Sequence, residues 1–129
     1  MSTTPTGYPV KDFGCPTRRY VRTLSLRPDS VLIERYRDRH AKGNIWQEII
    51  DGLKEVGVLE MEIYIHGTTL VMIVEAPYDF DWDSAMTRLA TLPRQQEWED
   101  YMAEFQQAEP GATSSEKWQP MERMFYFYD

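Results

Sequence analysis

Side chains able to move a proton or hold a metal are few in this chain: two histidines, His40 and His66, and a single cysteine, Cys15. Metal sites need clusters of His, Cys and carboxylates, and no ligand spacing of that kind stands out, so no metal is expected. A glycine-rich phosphate loop and a G-x-S-x-G turn are both missing, which removes phosphoryl transfer and serine-type acyl transfer. What remains is a pair. In the segment ERYRDRH, Tyr36 and His40 stand four residues apart, so on a helix they project from one face, one turn from each other. An imidazole titrates near neutrality and serves as acid or base, whereas a phenol with a pKa of about 10 is better suited to hydrogen bonding. Together the two can bind and protonate an oxygen atom. A lone Tyr-x-x-x-His has little specificity, and an ordinary helix histidine is the commoner meaning of His40. Trp98 likewise reads in two ways, as a core anchor or as an apolar platform for the C–H face of a sugar ring. Trp46 and Trp82 are assigned to packing, and Glu60 and Glu62 to a solvated strand face.

These residues sit in a chain of 129, the size of one domain with a sizeable core. A hydrophobic fraction of 42 % with 13 % aromatics is too high for a disordered chain. The net charge of −7 gives no basic footprint, so neither nucleic acid nor an anionic membrane is an expected partner. One cysteine cannot form an internal disulfide, and no apolar run has the length of a membrane span or the pattern of a signal peptide, so a reducing cytoplasm is expected.

Periodicity supplies the elements that must position the pair. Residues 1–17 read as an irregular arm and 18–129 as a single α+β domain. RYVRTLSL, 19–26, alternates with Tyr20, Arg22, Leu24 and Leu26 on one side and predicts a first strand. A helix follows, with Asp29 or Ser30 as N-cap and Val31, Leu32, Ile33 and Tyr36 supplying apolar area. Its stripe restarts at Ile45, Trp46, Ile49, Ile50, Leu53 and Val56. Gly43 in between predicts a kink or bulge, and Gly57 a left-handed C-cap. LEMEIYIH alternates strictly, with Met61 on its apolar side, and TLVMIVEA reads as a central strand joined to it by a tight turn at Gly67 and Thr68. Two helices are predicted over 79–92 and 95–107, the second with a stripe of Trp98, Tyr101, Met102 and Phe105. The aromatic tail WQPMERMFYFYD predicts a final strand. This order is that of a ferredoxin-like α+β unit, an antiparallel sheet with helices on one face. The uncovered face predicts a homodimer, because pairing two such sheets buries it.

From Arg19 to Gln107, and again in the tail, the chain resembles the L-rhamnose mutarotase family of small dimeric α+β barrel proteins. The resemblance rests on RYVRTLSL with Pro-Asp after it, ERYRDRH and IWQEI, GVLEMEIYI, VEA, QEWEDYM and KWQPMERMF. It implies that His40 is the proton donor, that Tyr36 binds the sugar and that Trp98 contacts it. Two family positions differ: Glu99 stands where the second tryptophan of a Trp-Trp pair is usual, and Met61 where a strand tyrosine contacts the sugar. Two extra residues also lie between His40 and Ile45. The implied activity is anomer interconversion of a 6-deoxy sugar such as L-rhamnose, by acid/base ring opening and reclosure with no cofactor. Glu99 is the one suggestion for a complementary base. Two alternatives stand beside it: a sugar-binding module of the same fold without turnover, and, by fold analogy, a cofactor-independent monooxygenase-like dimeric barrel.

Overall fold

The structure is a computed structural model and describes residues 7–128. Residues 1–6 of the expected arm, and Asp129 at the end of the domain, lie outside the described residues. The first strand, β1, spans Thr17–Ser25, and its even-numbered side chains face the helices while Leu26 just beyond it is wholly buried. After the hairpin strands β2 (Glu60–His66) and β3 (Thr69–Pro77) and the short β4 (Gln119–Pro120), the sheet order is β2-β3-β1-β4, antiparallel throughout. That is the ferredoxin-like order expected from the sequence. β3 is central, and its Leu70, Met72, Val74 and Ala76 alternate inward, paired across from Leu24, Arg22, Tyr20 and Arg18. The β2–β3 turn holds Gly67 at φ 61 with Thr68 in ordinary territory, a turn that needs glycine at its first position.

The helices lie against the inner face. α1 (Ser30–Arg39) starts where Asp29 accepts from the N–H groups of Val31 and Leu32. The helix expected to continue through a kink at Gly43 instead stops, and α2 (Gln47–Glu55) begins afresh. Side chains cause the stop: His40 Nδ1 and Asn44 Nδ2 donate to the last-turn carbonyls of Tyr36 and Asp38, at 2.8 and 2.7 Å, and Gly43 takes φ 91. Gly57, φ 102, closes α2 as expected. Its N–H reaches the Lys54 carbonyl and the Val58 N–H the Leu53 carbonyl, the two bonds of a Schellman motif.

α3 (Trp82–Leu89) and α4 (Gln95–Met102) are shorter than the sequence predicts, because Asp81 caps the first and the chain turns after Met102 in the second. Phe105 nevertheless completes the stripe, buried with Trp98 and Met102. A short helix α5 (Ser114–Lys117) was not expected; Thr113 and Glu116 form a capping box at its start. The expected final strand is cut to two residues. Beyond the Met121 N–H, bonded to Val21, the tail leaves the sheet, and Met124, Phe125 and Phe127 are exposed. Val31 is also exposed, not part of the core. No helix among the described residues is long and apolar enough to cross a membrane.

Candidate active site

The side chains picked out by type and spacing converge. His40, Tyr36, Trp98, Glu99 and Met61 all line one cavity of about 410 Å³ between the inner face of the sheet and α1, α2 and α4. α1 brings Tyr36 and His40 to it together, with ring centroids 4.3 Å apart, and α4 sets Trp98 edge-on to the imidazole at 5.7 Å. β2 contributes Met61, half-buried at the sheet edge. His66, at the far end of β2, does not line the cavity, and Cys15 is exposed on the arm. Trp46 packs on Trp98 at 5.0 Å from outside the lining, and Trp82 packs on Tyr20, so both serve the core.

Hydrogen bonds fix the state of each polar group. A carbonyl can only accept, so the 2.8 Å contact from His40 Nδ1 to the Tyr36 carbonyl places the proton on Nδ1 and leaves Nε2 for a substrate. Burial holds the imidazole below its ordinary pKa, opposed by that same carbonyl. The Tyr36 ring is buried, and its Oη accepts from Gln106 Nε2 at 3.2 Å. Burial drives the phenol pKa far up, so Tyr36 keeps its proton and can donate it in a hydrogen bond.

Glu99 is one of two acidic residues in the cavity lining, with the exposed Glu60 at the edge of β2. Burial raises its pKa, and the Lys117 ammonium, 3.1 Å from Oε1, works against that rise. The Lys117 side chain is wholly buried and also donates to the Glu99 carbonyl, so α5 braces the middle of α4. Gln95, likewise buried, donates to the Glu48 carbonyl at 2.9 Å and ties α4 to α2 across Gly52. Among the described residues, no three His, Cys, Asp or Glu side chains gather as a metal site requires.

Three of these residues were missed in the sequence: Gln95, Gln106 and Lys117. Gln106 had a trace, since Trp98, Met102 and Gln106 continue the α4 stripe in steps of four onto a polar residue. Lys117 had none, because its partner lies 18 residues away across a loop.

The L-rhamnose mutarotase family matches residues 19–127. An L-fucose mutarotase from Xanthomonas campestris pv. campestris is 36 % identical over 108 residues, 84 % of this chain and 86 % of that protein. A UPF0734 protein from Dictyostelium discoideum is 34 % identical over 115 residues, 86 % of this chain and 90 % of that one. The crystal structure of an L-rhamnose mutarotase from Formosa agariphila superposes with a TM-score of 0.64 at 25 % identity, covering 86 % of this chain and 99 % of that one.

Proposed function

The chain belongs to the L-rhamnose mutarotase family and is an aldose mutarotase; we propose that it interconverts the anomers of a 6-deoxy sugar with His40 as the residue that moves the proton. The observation that carries this reading is the convergence of His40, Tyr36, Trp98 and Glu99 on one cavity of monosaccharide size. Ile45, Ile49, Met61 and Met72 give that cavity an apolar side, which suits the C6 methyl of a 6-deoxy sugar better than a hydroxymethyl group.

Anomer exchange moves protons and no electrons. His40, as imidazolium, gives the Nε2 proton to the ring oxygen; the C1–O5 bond breaks, and the Glu99 carboxylate takes the proton of the anomeric hydroxyl as the C1 aldehyde forms. Rotation about C1–C2 presents the other face of the aldehyde, and the two transfers reverse. Tyr36 donates to a sugar hydroxyl and Trp98 covers the apolar face of the ring, so the reacting atoms stay near His40. One positioned acid or base contributes about 10² to 10⁴ in rate, enough for a reaction already measurable without a catalyst.

A homodimer is part of the proposal. The outer face of the sheet carries Val21, Val71 and Ile73 partly exposed, and the tail beyond β4 holds Phe125, Tyr126, Phe127 and Tyr128 in solvent. Two sheets packed face to face would bury both sets. A cytoplasmic setting, without nucleic acid or membrane as partner, fits the charge and the single exposed cysteine. Anomer-resolved NMR saturation exchange with L-rhamnose, L-fucose and common aldoses tests the activity, and sedimentation of the same sample tests the dimer. Faster exchange of a 6-deoxy sugar is the expected result; binding without faster exchange of any sugar would refute the reading.

A further inference from the structure

Gln106 is built into the cavity more firmly than a filling residue needs to be. The backbone around it is clamped to the end of β1. Arg27 N–H donates to the Phe105 carbonyl at 2.9 Å, Gln107 N–H to the Ser25 carbonyl at 2.9 Å, and Arg27 Nε to the Gln106 carbonyl at 3.1 Å. The side chain is 2 % exposed and lines the cavity beside Tyr36. Its Nε2 is used, donating to Tyr36 Oη, but its Oε1 has no donor among the described residues. A buried amide oxygen without a partner is costly, and because Gln106 lines the cavity, a turn of its side chain on binding would bring that oxygen to a ligand's donor.

Donation from Gln106 into Tyr36 Oη also sets a direction. The phenol accepts from the amide, so its own proton is free to point into the cavity. The two residues therefore offer an acceptor, Gln106 Oε1, next to a donor, Tyr36 O–H. A single hydroxyl can satisfy both at once by accepting from Tyr36 and donating to Gln106.

We propose that Gln106 is a specificity-determining residue that, with Tyr36, reads one ring hydroxyl of the bound sugar at a defined carbon. This rests on the mutarotase reading and deepens it. A site that hydrogen-bonds a hydroxyl rejects an analogue lacking it, because its own buried polar atoms are then left unpaired. An apolar wall would accept both.

The test compares kcat/KM for anomer exchange of the preferred 6-deoxy sugar with that of its 2-deoxy, 3-deoxy and 4-deoxy analogues, in wild type and in Gln106→Met. Methionine keeps approximate length and volume and removes both amide groups. Wild type should discriminate against one analogue by about 10-fold or more. Gln106→Met should narrow that one ratio to within about 2-fold and leave the other ratios as they were. A variant that slows every sugar equally, with all ratios intact, would make Gln106 a structural residue and overturn the proposal. If the methionine variant does not fold, Gln106→Leu is read in its place by the same ratios, and with either variant a wild type for which no ring deoxygenation costs more than about 2-fold also overturns the proposal. Wild type that exchanges no sugar would overturn the mutarotase reading itself and this proposal with it.

Discussion

Lys117→Met probes the electrostatics behind the cavity wall. The Lys117 side chain is 0 % exposed, and its ammonium lies 3.1 Å from Glu99 Oε1, on a side chain only 15 % exposed. Methionine keeps most of the length and removes the charge. Breaking a buried ion pair from one side costs about 3–5 kcal/mol, mainly because the surviving charge is left unpaired. Loss of the bond to the Glu99 carbonyl adds little, since that oxygen still accepts from the Ala103 N–H at 3.0 Å. Glu99 has a way out, which is to bind a proton. Burial already raises its pKa, Lys117 opposes the rise, and removing Lys117 lifts it further. A carboxyl whose folded pKa exceeds its unfolded value stabilises the fold below the unfolded pKa, and that stability is lost as pH rises through the folded pKa. The variant should therefore lose about 3 kcal/mol near pH 7.5 and less than about half of that near pH 4.5. Urea denaturation at the two pH values measures this directly, and at neutral pH Tm should fall by about 10 °C. An equal loss at both pH values would mean that Lys117 acts by packing alone, and a loss below about 1 kcal/mol at neutral pH would refute the ion-pair reasoning.

Gly52→Ala would place a Cβ 2.4 Å from Gln95 Nε2 and 3.2 Å from Leu89, so the buried Gln95 amide must move and its bond to Glu48 is strained or lost. Overpacking of about 1–3 kcal/mol should outweigh the gain in helix propensity of about 1 kcal/mol, and a raised Tm would contradict this. The rate profile of anomer exchange should be a bell with both limbs drawn inward: the alkaline limb below 6.5, as burial deprotonates His40, and the acid limb above 4.5, as burial protonates Glu99. A profile flat across that interval would exclude this acid and base assignment. Trp98→Phe should raise KM about 2- to 10-fold with little change in kcat, because a smaller ring covers less of the sugar; steady-state exchange kinetics that show a loss in kcat alone would place Trp98 elsewhere in the mechanism.

Strand and helix order were legible because alternation and the 3.6-residue stripe are strong over these lengths: LEMEIYIH, TLVMIVEA and the run Ile49 to Val56 reappear where the periodicity puts them. The break between α1 and α2 was only half visible. Gly43 marked the place, but the decision to stop lay in His40 and Asn44 capping carbonyls with their side chains, which no hydropathy pattern records. The tail failed for a related reason. Its aromatics look like a strand, yet within one chain the pairing with β1 ends at Gln119, Pro120 and the Met121 N–H. At the site, Tyr36 and His40 were legible as a pair because four residues on one helix fix their relation. Gln106 and Lys117 were not, since their partners Tyr36 and Glu99 lie 70 and 18 residues away, and that distance is closed only by the fold.

The central claim is that His40 carries the proton in anomer exchange. It is tested most directly by measuring saturation exchange between the anomers of L-fucose and of L-rhamnose, with wild type and His40→Ala at equal folded concentration. The account predicts that wild type accelerates at least one of the two and that the variant, with an unchanged circular dichroism spectrum, loses about 10² or more of that acceleration. An alanine variant that exchanged anomers at the wild-type rate would contradict it.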